Sequence, residues 1–102
     1  MPEARTFRCE VFTASGPVVQ TEATSVVLPA HDGLLGVLRR RAPLVAALGS
    51  GSLFIRAGDA SRHYRLAGGV AHMRRDVLTI LAEQCQLTTE AEVRWFPAPS
   101  GS

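Results

Sequence analysis

Leu53-Phe54-Ile55-Arg56-Ala57-Gly58-Asp59-Ala60-Ser61-Arg62-His63-Tyr64-Arg65-Leu66 holds two short apolar runs on either side of a turn. Leu53 to Arg56 and Arg62 to Leu66 flank Gly58-Asp59-Ala60-Ser61, the pattern of a β-hairpin. Toward the C-terminus, Gly68-Gly69 breaks the chain before a strand at Val70 to Met73. Arg74-Arg75-Asp76 then turns it into Val77 to Ala82, an apolar, β-branched run. Toward the N-terminus, Gly49-Ser50-Gly51 reads as another reversal. Leu44 to Leu48 before it is a continuous apolar run that fits a buried strand or one helical turn, and periodicity does not separate the two.

The first half follows the same rhythm. Phe7, Cys9 and Val11 alternate with Arg8 and Glu10 across Phe7 to Thr13, the period of a half-buried strand. Ser15-Gly16-Pro17 closes it, Val18 to Ala23 forms a second strand, and Ser25 to Leu28 a third, ended by Pro29. His31-Asp32-Gly33 is a tight turn before Leu34-Leu35-Gly36-Val37-Leu38, and Arg39-Arg40-Arg41 and Ala42-Pro43 follow. Eight to ten short strands with turns this frequent point to an all-β sandwich or barrel. Thr88 to Arg94 reads as the start of a short helix, with a threonine cap and early acids, stopped by Trp95-Phe96-Pro97. Residues 1–6 read as a disordered start, 7–84 as the sandwich and 85–102 as the tail.

With 102 residues the chain has room for one domain and one ordinary core. Its hydrophobic fraction of 46% and charged fraction of 20% are those of a globular protein. A net charge of +2 is too mild to mark nucleic acid or an anionic membrane as the main partner. The N-terminus lacks the apolar core of a secretory signal and no window is apolar enough to span a bilayer, which reads as a cytosolic setting. Cys9 and Cys85 read as reduced, partly buried thiols.

Catalytic patterns are missing. His31, His63 and His72 have no metal-ligand spacing, no Gly-x-Ser-x-Gly elbow occurs, and Gly33-x-x-Gly36 lacks the Gly-Lys-Ser/Thr of a phosphate loop. Asp32 beside His31 is ordinary turn chemistry. No metal, cofactor or catalytic residue is expected. Arg39-Arg40-Arg41 is the feature that invites a functional reading. It fits a solvated loop tip that keeps a sheet edge unpaired, a contact to carboxylates of a partner protein, or more weakly nucleic acid or lipid head groups.

Taken in order, Phe7 to Thr13, Ser25 to Pro29, Asp32-Gly33-Leu34-Leu35-Gly36-Val37-Leu38 and Ala42-Pro43-Leu44 form a series. Leu53 to Arg56, Tyr64-Arg65-Leu66-Ala67-Gly68-Gly69-Val70 and Val77 to Glu83 complete it. This series resembles the N-terminal domain of the epsilon subunit of F-type ATP synthases. The resemblance covers about Phe7 to Glu83. It implies a ten-stranded sandwich of two sheets with a mechanical, non-catalytic role. Such a rotor subunit binds the gamma subunit and the c-ring at the cytoplasmic face of the inner (plasma) membrane, peripherally and only through the complex. There it couples proton flow to ATP synthesis elsewhere.

Carried over by position, the resemblance puts Asp32, Leu34, Leu38, Arg39, Arg40 and Arg41 near the c-ring and the foot of gamma. Thr13, Arg41 and Ala46 match positions that face gamma. Relatives commonly have Pro-Gly-His where this chain has Arg39-Arg40-Arg41, and many have an acid where it has Leu34. The docking surface is therefore expected to be more basic than theirs. The nineteen residues after Glu83 are too few for the family's C-terminal helical hairpin, so no hairpin-mediated inhibition and no ATP site are expected. The alternative is a free-standing β-sandwich that binds a protein or anion through the Arg39–Arg41 loop.

Overall fold

Alternation of apolar and polar residues, punctuated by turn residues, yields seven β-strands in the computed structural model, which describes residues 6–88. They are β1 (Phe7–Thr13), β2 (Gly16–Ala23), β3 (Ser25–Ala30), β4 (Gly33–Val37), β5 (Leu44–Ala57), β6 (Ala60–Arg74) and β7 (Val77–Leu87). There is no helix among the described residues. The disordered start expected over residues 1–6 lies almost wholly outside them, as do most of the 85–102 tail and the helical turn placed in it.

The hairpin turns fall at glycine and polar residues. Two-residue loops join β1 to β2, β3 to β4, β5 to β6 and β6 to β7, with Thr13 opposite Gly16, Ala30 opposite Gly33, Ala57 opposite Ala60 and Arg74 opposite Val77. The strands form one hydrogen-bonded sheet in the order β2-β1-β7-β6-β5-β3-β4. All neighbours are antiparallel except β1 and β7.

Three expectations from the sequence change, and one left open is settled. Leu44 to Leu48 is strand, and neither Gly49-Ser50-Gly51 nor Gly68-Gly69 ends one, since β5 and β6 run straight through them. What changes at these glycines is which side chains point inward. In β5, even-numbered Leu48 is buried, then odd-numbered Leu53 and Ile55. In β6, Tyr64 and Leu66 give way to Ala71 and Met73. In β7, Leu78, Ile80 and Ala82 are buried, and then Cys85 packs on the core. Each long strand thus serves the core twice, once with each parity. The ten strands in two sheets expected from the resemblance are here seven strands in one folded-over sheet, and dividing β5, β6 and β7 at the switch gives ten segments.

The result is an all-β sandwich with a single core. Every strand contributes to it, from Phe7, Cys9 and Val11 on β1 to Leu78 and Ile80 on β7. Although β2 and β5 are far apart in the sheet order, they come into contact, so the sheet closes over itself. Glycine permits the crossings. Gly69 has φ of 125°, and a Cβ there would run into the Leu81 carbonyl oxygen and sit 2.8 Å from the Ala82 Cα. Pro29, expected to end β3, instead lies buried within it. It interrupts the ladder to β5 between Val27 and Ala30, because it has no N–H to give.

Candidate docking surface

The outward-pointing residues of β1, β7, β6 and β5 are set by the register. Phe12 lies opposite Leu81, Leu81 opposite Val70 and Val70 opposite Ala47, an apolar row across four strands. The next row is Glu10, Thr79, His72 and Val45. Leu81 is 52% exposed and Val45 is 71% exposed, high values for apolar side chains on the centre of a sheet. Neither row stands out in the sequence, because alternation in a strand does not say which of two apolar faces is covered.

The predicted contact residues fall on three parts of the surface. Leu34 is 75% exposed on β4, an edge strand, and Leu38 is 61% exposed just after it. With Gly36 between them they take the outward positions, while Leu35 and Val37 turn to the core. An edge strand this apolar is a template for association. Asp32 is exposed in the β3–β4 turn, and Ala46 is half-buried on β5. Both line an open groove of about 490 Å³, together with Ala30, His31, Val45 and Ala47. The His31 N–H donates to the Ala47 carbonyl at 2.8 Å and fixes the turn against β5. Thr13 stands apart. Its Oγ1 accepts from the Ser15 N–H at 3.2 Å, and it lines a different cleft with Glu83, Gln84 and Cys85.

Arg39, Arg40 and Arg41 form a β-turn between β4 and β5, closed by the Arg41 N–H donating to the Leu38 carbonyl at 3.2 Å. Arg40 has φ of 66°, the left-handed region in which glycine is at ease. The tip is not loose, because the Arg40 N–H donates to Asp76 Oδ1 at 2.6 Å. Asp76 belongs to the β6–β7 turn, and its backbone carbonyl also accepts from the Arg8 N–H at 2.9 Å. In the sequence Arg74-Arg75-Asp76 reads only as a turn. Its acid anchors the other loop.

Chemistry on the surface is sparse. Arg8 Nε pairs with Glu10 Oε2 at 2.6 Å, and the hydrogen bond and charge of Glu10 hold the guanidinium's pKa above its ordinary value. Cys9 is fully buried, and its thiol is pushed up to about 12, first by burial and then by the charge of Glu10. Both cysteines are free. Phe54 and His63 stack on the outer face with ring centroids 4.5 Å apart. Among the described residues, no three His, Cys, Asp or Glu side chains converge as a metal site. The surface offers contact area and charge.

Comparison with known proteins agrees with this architecture. Residues 6–88 match the family described as ATP synthase, Delta/Epsilon chain, beta-sandwich domain. The chain is 34% identical over 88 residues to the ATP synthase epsilon chain of Alkalihalophilus pseudofirmus, covering 86% of this chain and 66% of that relative. It is likewise 34% identical over 94 residues to that of Solibacter usitatus, covering 92% and 69%. The chain thus spans about two thirds of the length of these relatives. In fold it is similar to a chain of the Euglena gracilis mitochondrial ATP synthase, solved as OSCP/F1/c-ring. The TM-score is 0.78 at 18% identity, over 91% of this chain and 61% of that one. It is also similar to one in the central stalk and c-ring of the Tetrahymena thermophila enzyme, with a TM-score of 0.66 at 16% identity, over 85% and 69%. The ordered turns, the sheet that closes over one core and the match over residues 6–88 make this chain a member of the ATP synthase delta/epsilon family, whose β-sandwich domain it carries.

Proposed function

We propose that the chain is a central-stalk subunit of a proton-translocating F-type ATP synthase, seated between the gamma subunit and the c-ring. It has no active site of its own; it transmits torque while catalysis proceeds on other subunits. Its place is the cytoplasmic face of the inner (plasma) membrane, held there by the complex. The observation that carries this reading is the outward apolar row Phe12–Leu81–Val70–Ala47, with Leu81 and Ala47 exposed and Phe12 and Val70 half-buried, on a sandwich of this family. Such a face gains by being covered, and an apolar centre with a polar rim is the anatomy of a protein interface. Leu34 and Leu38, with Arg39 to Arg41 beside them, supply a second contact toward the c-ring, and Asp32 and Ala46 line the groove between the two. Thr13, at the end of β1, extends the gamma-facing side.

The test is co-elution of the purified chain with its cognate gamma subunit on size exclusion, at low and high salt. A one-to-one complex is expected, and Leu81→Glu should abolish it because a charge would be buried without a partner. Charge reversal of Arg39 to Arg41 should weaken assembly most at low salt. If folded partners do not associate at micromolar concentration, the chain is a free-standing module that uses the arginine loop.

A further inference from the structure

Three residues other than glycine hold positive φ among the described residues: Arg40 at 66°, Arg75 at 52° and Asp76 at 61°. All three lie in two turns joined by the hydrogen bond from the Arg40 N–H to Asp76 Oδ1. Left-handed backbone at non-glycine residues is strained, and such strain clusters at binding and other functional sites. Glycine would relieve it, yet two of the positions carry arginine. The joined turns bring Arg39, Arg40 and Arg41 together with Arg74 and Arg75 at one end of the molecule. The acid between them, Asp76, is engaged with backbone N–H. All eleven basic residues of the chain are arginines, whose planar forks bind carboxylates bidentately.

We propose that the 39–41 and 74–76 turns form one anion-binding end, set in place by Asp76, that receives a carboxylate-rich segment of a partner protein. The inference rests on the reading of the neighbouring β4 edge as a docking surface. Exposed Leu38 and half-buried Arg39 adjoin the cluster, and a rigid mix of arginine and apolar side chains matches protein interfaces, where arginine is enriched and lysine depleted. The loop itself is fixed by two hydrogen bonds, one across the turn and one to Asp76, so little order is lost on binding. Asp76 is a positioning residue here. Its negative charge opposes an anionic ligand, whereas its hydrogen bond holds the arginine turn.

That opposition supplies the test. Binding of a fluorescent oligoglutamate peptide to the full chain is followed by anisotropy across a salt series. Arg74→Glu with Arg75→Glu should weaken it about tenfold, as should reversal of Arg39 to Arg41, while Arg62→Glu with Arg65→Glu serves as the control elsewhere on the surface. Asp76→Asn keeps an acceptor for the Arg40 N–H and should bind at least as tightly as wild type. Asp76→Ala should bind several-fold more weakly, although simple charge counting predicts the reverse. Circular dichroism verifies that each variant is folded. The proposal is overturned if wild type does not bind, if the Arg74 and Arg75 reversal stays within about twofold, if the control reversal weakens binding equally, or if Asp76→Ala binds as well as Asp76→Asn. Tighter arginine-dependent binding to phosphatidylglycerol vesicles than to the peptide also overturns it and assigns the end to lipid. Co-elution of the same proteins with gamma separates the two readings. Normal co-elution with no peptide binding sinks only this inference, whereas failure of wild type to co-elute sinks the docking reading.

Discussion

Replacing Gly69 by alanine tests how the sheet crosses over itself. The new Cβ would collide with the Leu81 carbonyl oxygen and lie 2.8 Å from the Ala82 Cα, both backbone atoms that no rotamer change can move. The φ of 125° adds strain of about 1–3 kcal/mol for any residue with a Cβ. To make room, β7 must shift away from β6, and one or two ladder hydrogen bonds near Gly69 and Ala82 weaken at about 1 kcal/mol each. The sum is about 2–5 kcal/mol, a large part of the roughly 5–15 kcal/mol expected for a domain of this size. Urea unfolding followed by far-UV circular dichroism should show it, and the melting temperature should fall by at least about 8 °C.

Two other glycines calibrate the result. Gly36 has an ordinary φ and nothing within 4 Å of the point a Cβ would occupy, so Gly36→Ala should stay within about 0.5 kcal/mol of wild type. Gly68 has φ of 71°, and a Cβ there meets the Glu83 carboxylate at 2.7 Å, a flexible group that can swing away. Gly68→Ala should therefore cost about 1–2 kcal/mol. A Gly69→Ala protein within about 1 kcal/mol of wild type would refute the reasoning. So would a Gly36→Ala loss as large as that at Gly69.

Arg40→Gly should raise stability by a few tenths to about 1 kcal/mol in the same assay, since glycine accepts the left-handed turn that arginine resists. Gly51→Ala places a Cβ 2.9 Å from the Pro29 Cβ; pairing it with Pro29→Gly, which removes that atom, should recover about 1 kcal/mol in a double-mutant cycle, a coupling absent if the two strands simply part. The buried Cys9 thiol, raised to about 12, favours the folded state below the ordinary thiol pKa of about 8.5. That contribution is lost as pH climbs toward 12, so the urea midpoint should fall between about pH 8 and pH 10, and Cys9→Ala should flatten the slope. Thiol reagents should label the half-buried Cys85 at once and Cys9 only on unfolding.

Much of this molecule is legible in its sequence. Ser15-Gly16, Asp32-Gly33 and Gly58-Asp59 mark three of the hairpin loops because their chemistry is local, and the strands between them show their period directly. The long strands are not legible at Gly49–Gly51 and Gly68–Gly69, since glycine signals a reversal and a crossing alike. Only the close approach of Leu81 to Gly69, set by the partner strand, tells them apart. The same limit applies to the docking surface. Leu34, Leu38 and Arg39 to Arg41 sit on a loop and an edge strand, where position in the chain implies exposure. Asp76 lies thirty-six residues from Arg40, and their bond exists only because the fold brings two turns together.

The parallel pairing of β1 with β7 has a bearing on how the chain acquires its structure. Arg8 through Phe12 must wait for Val77 through Leu81, so the strand made first is joined to the sheet last. Until then β1 and β2 have only each other, and a lone two-stranded hairpin is marginal in water. Closing that long loop costs entropy before the contact rewards it, which places folding in the slow, millisecond-to-second range of β-rich topologies. During that interval the apolar faces of Phe7, Cys9 and Val11 stay open to solvent. A nascent chain of this kind is most vulnerable to aggregation shortly before its final strand is complete.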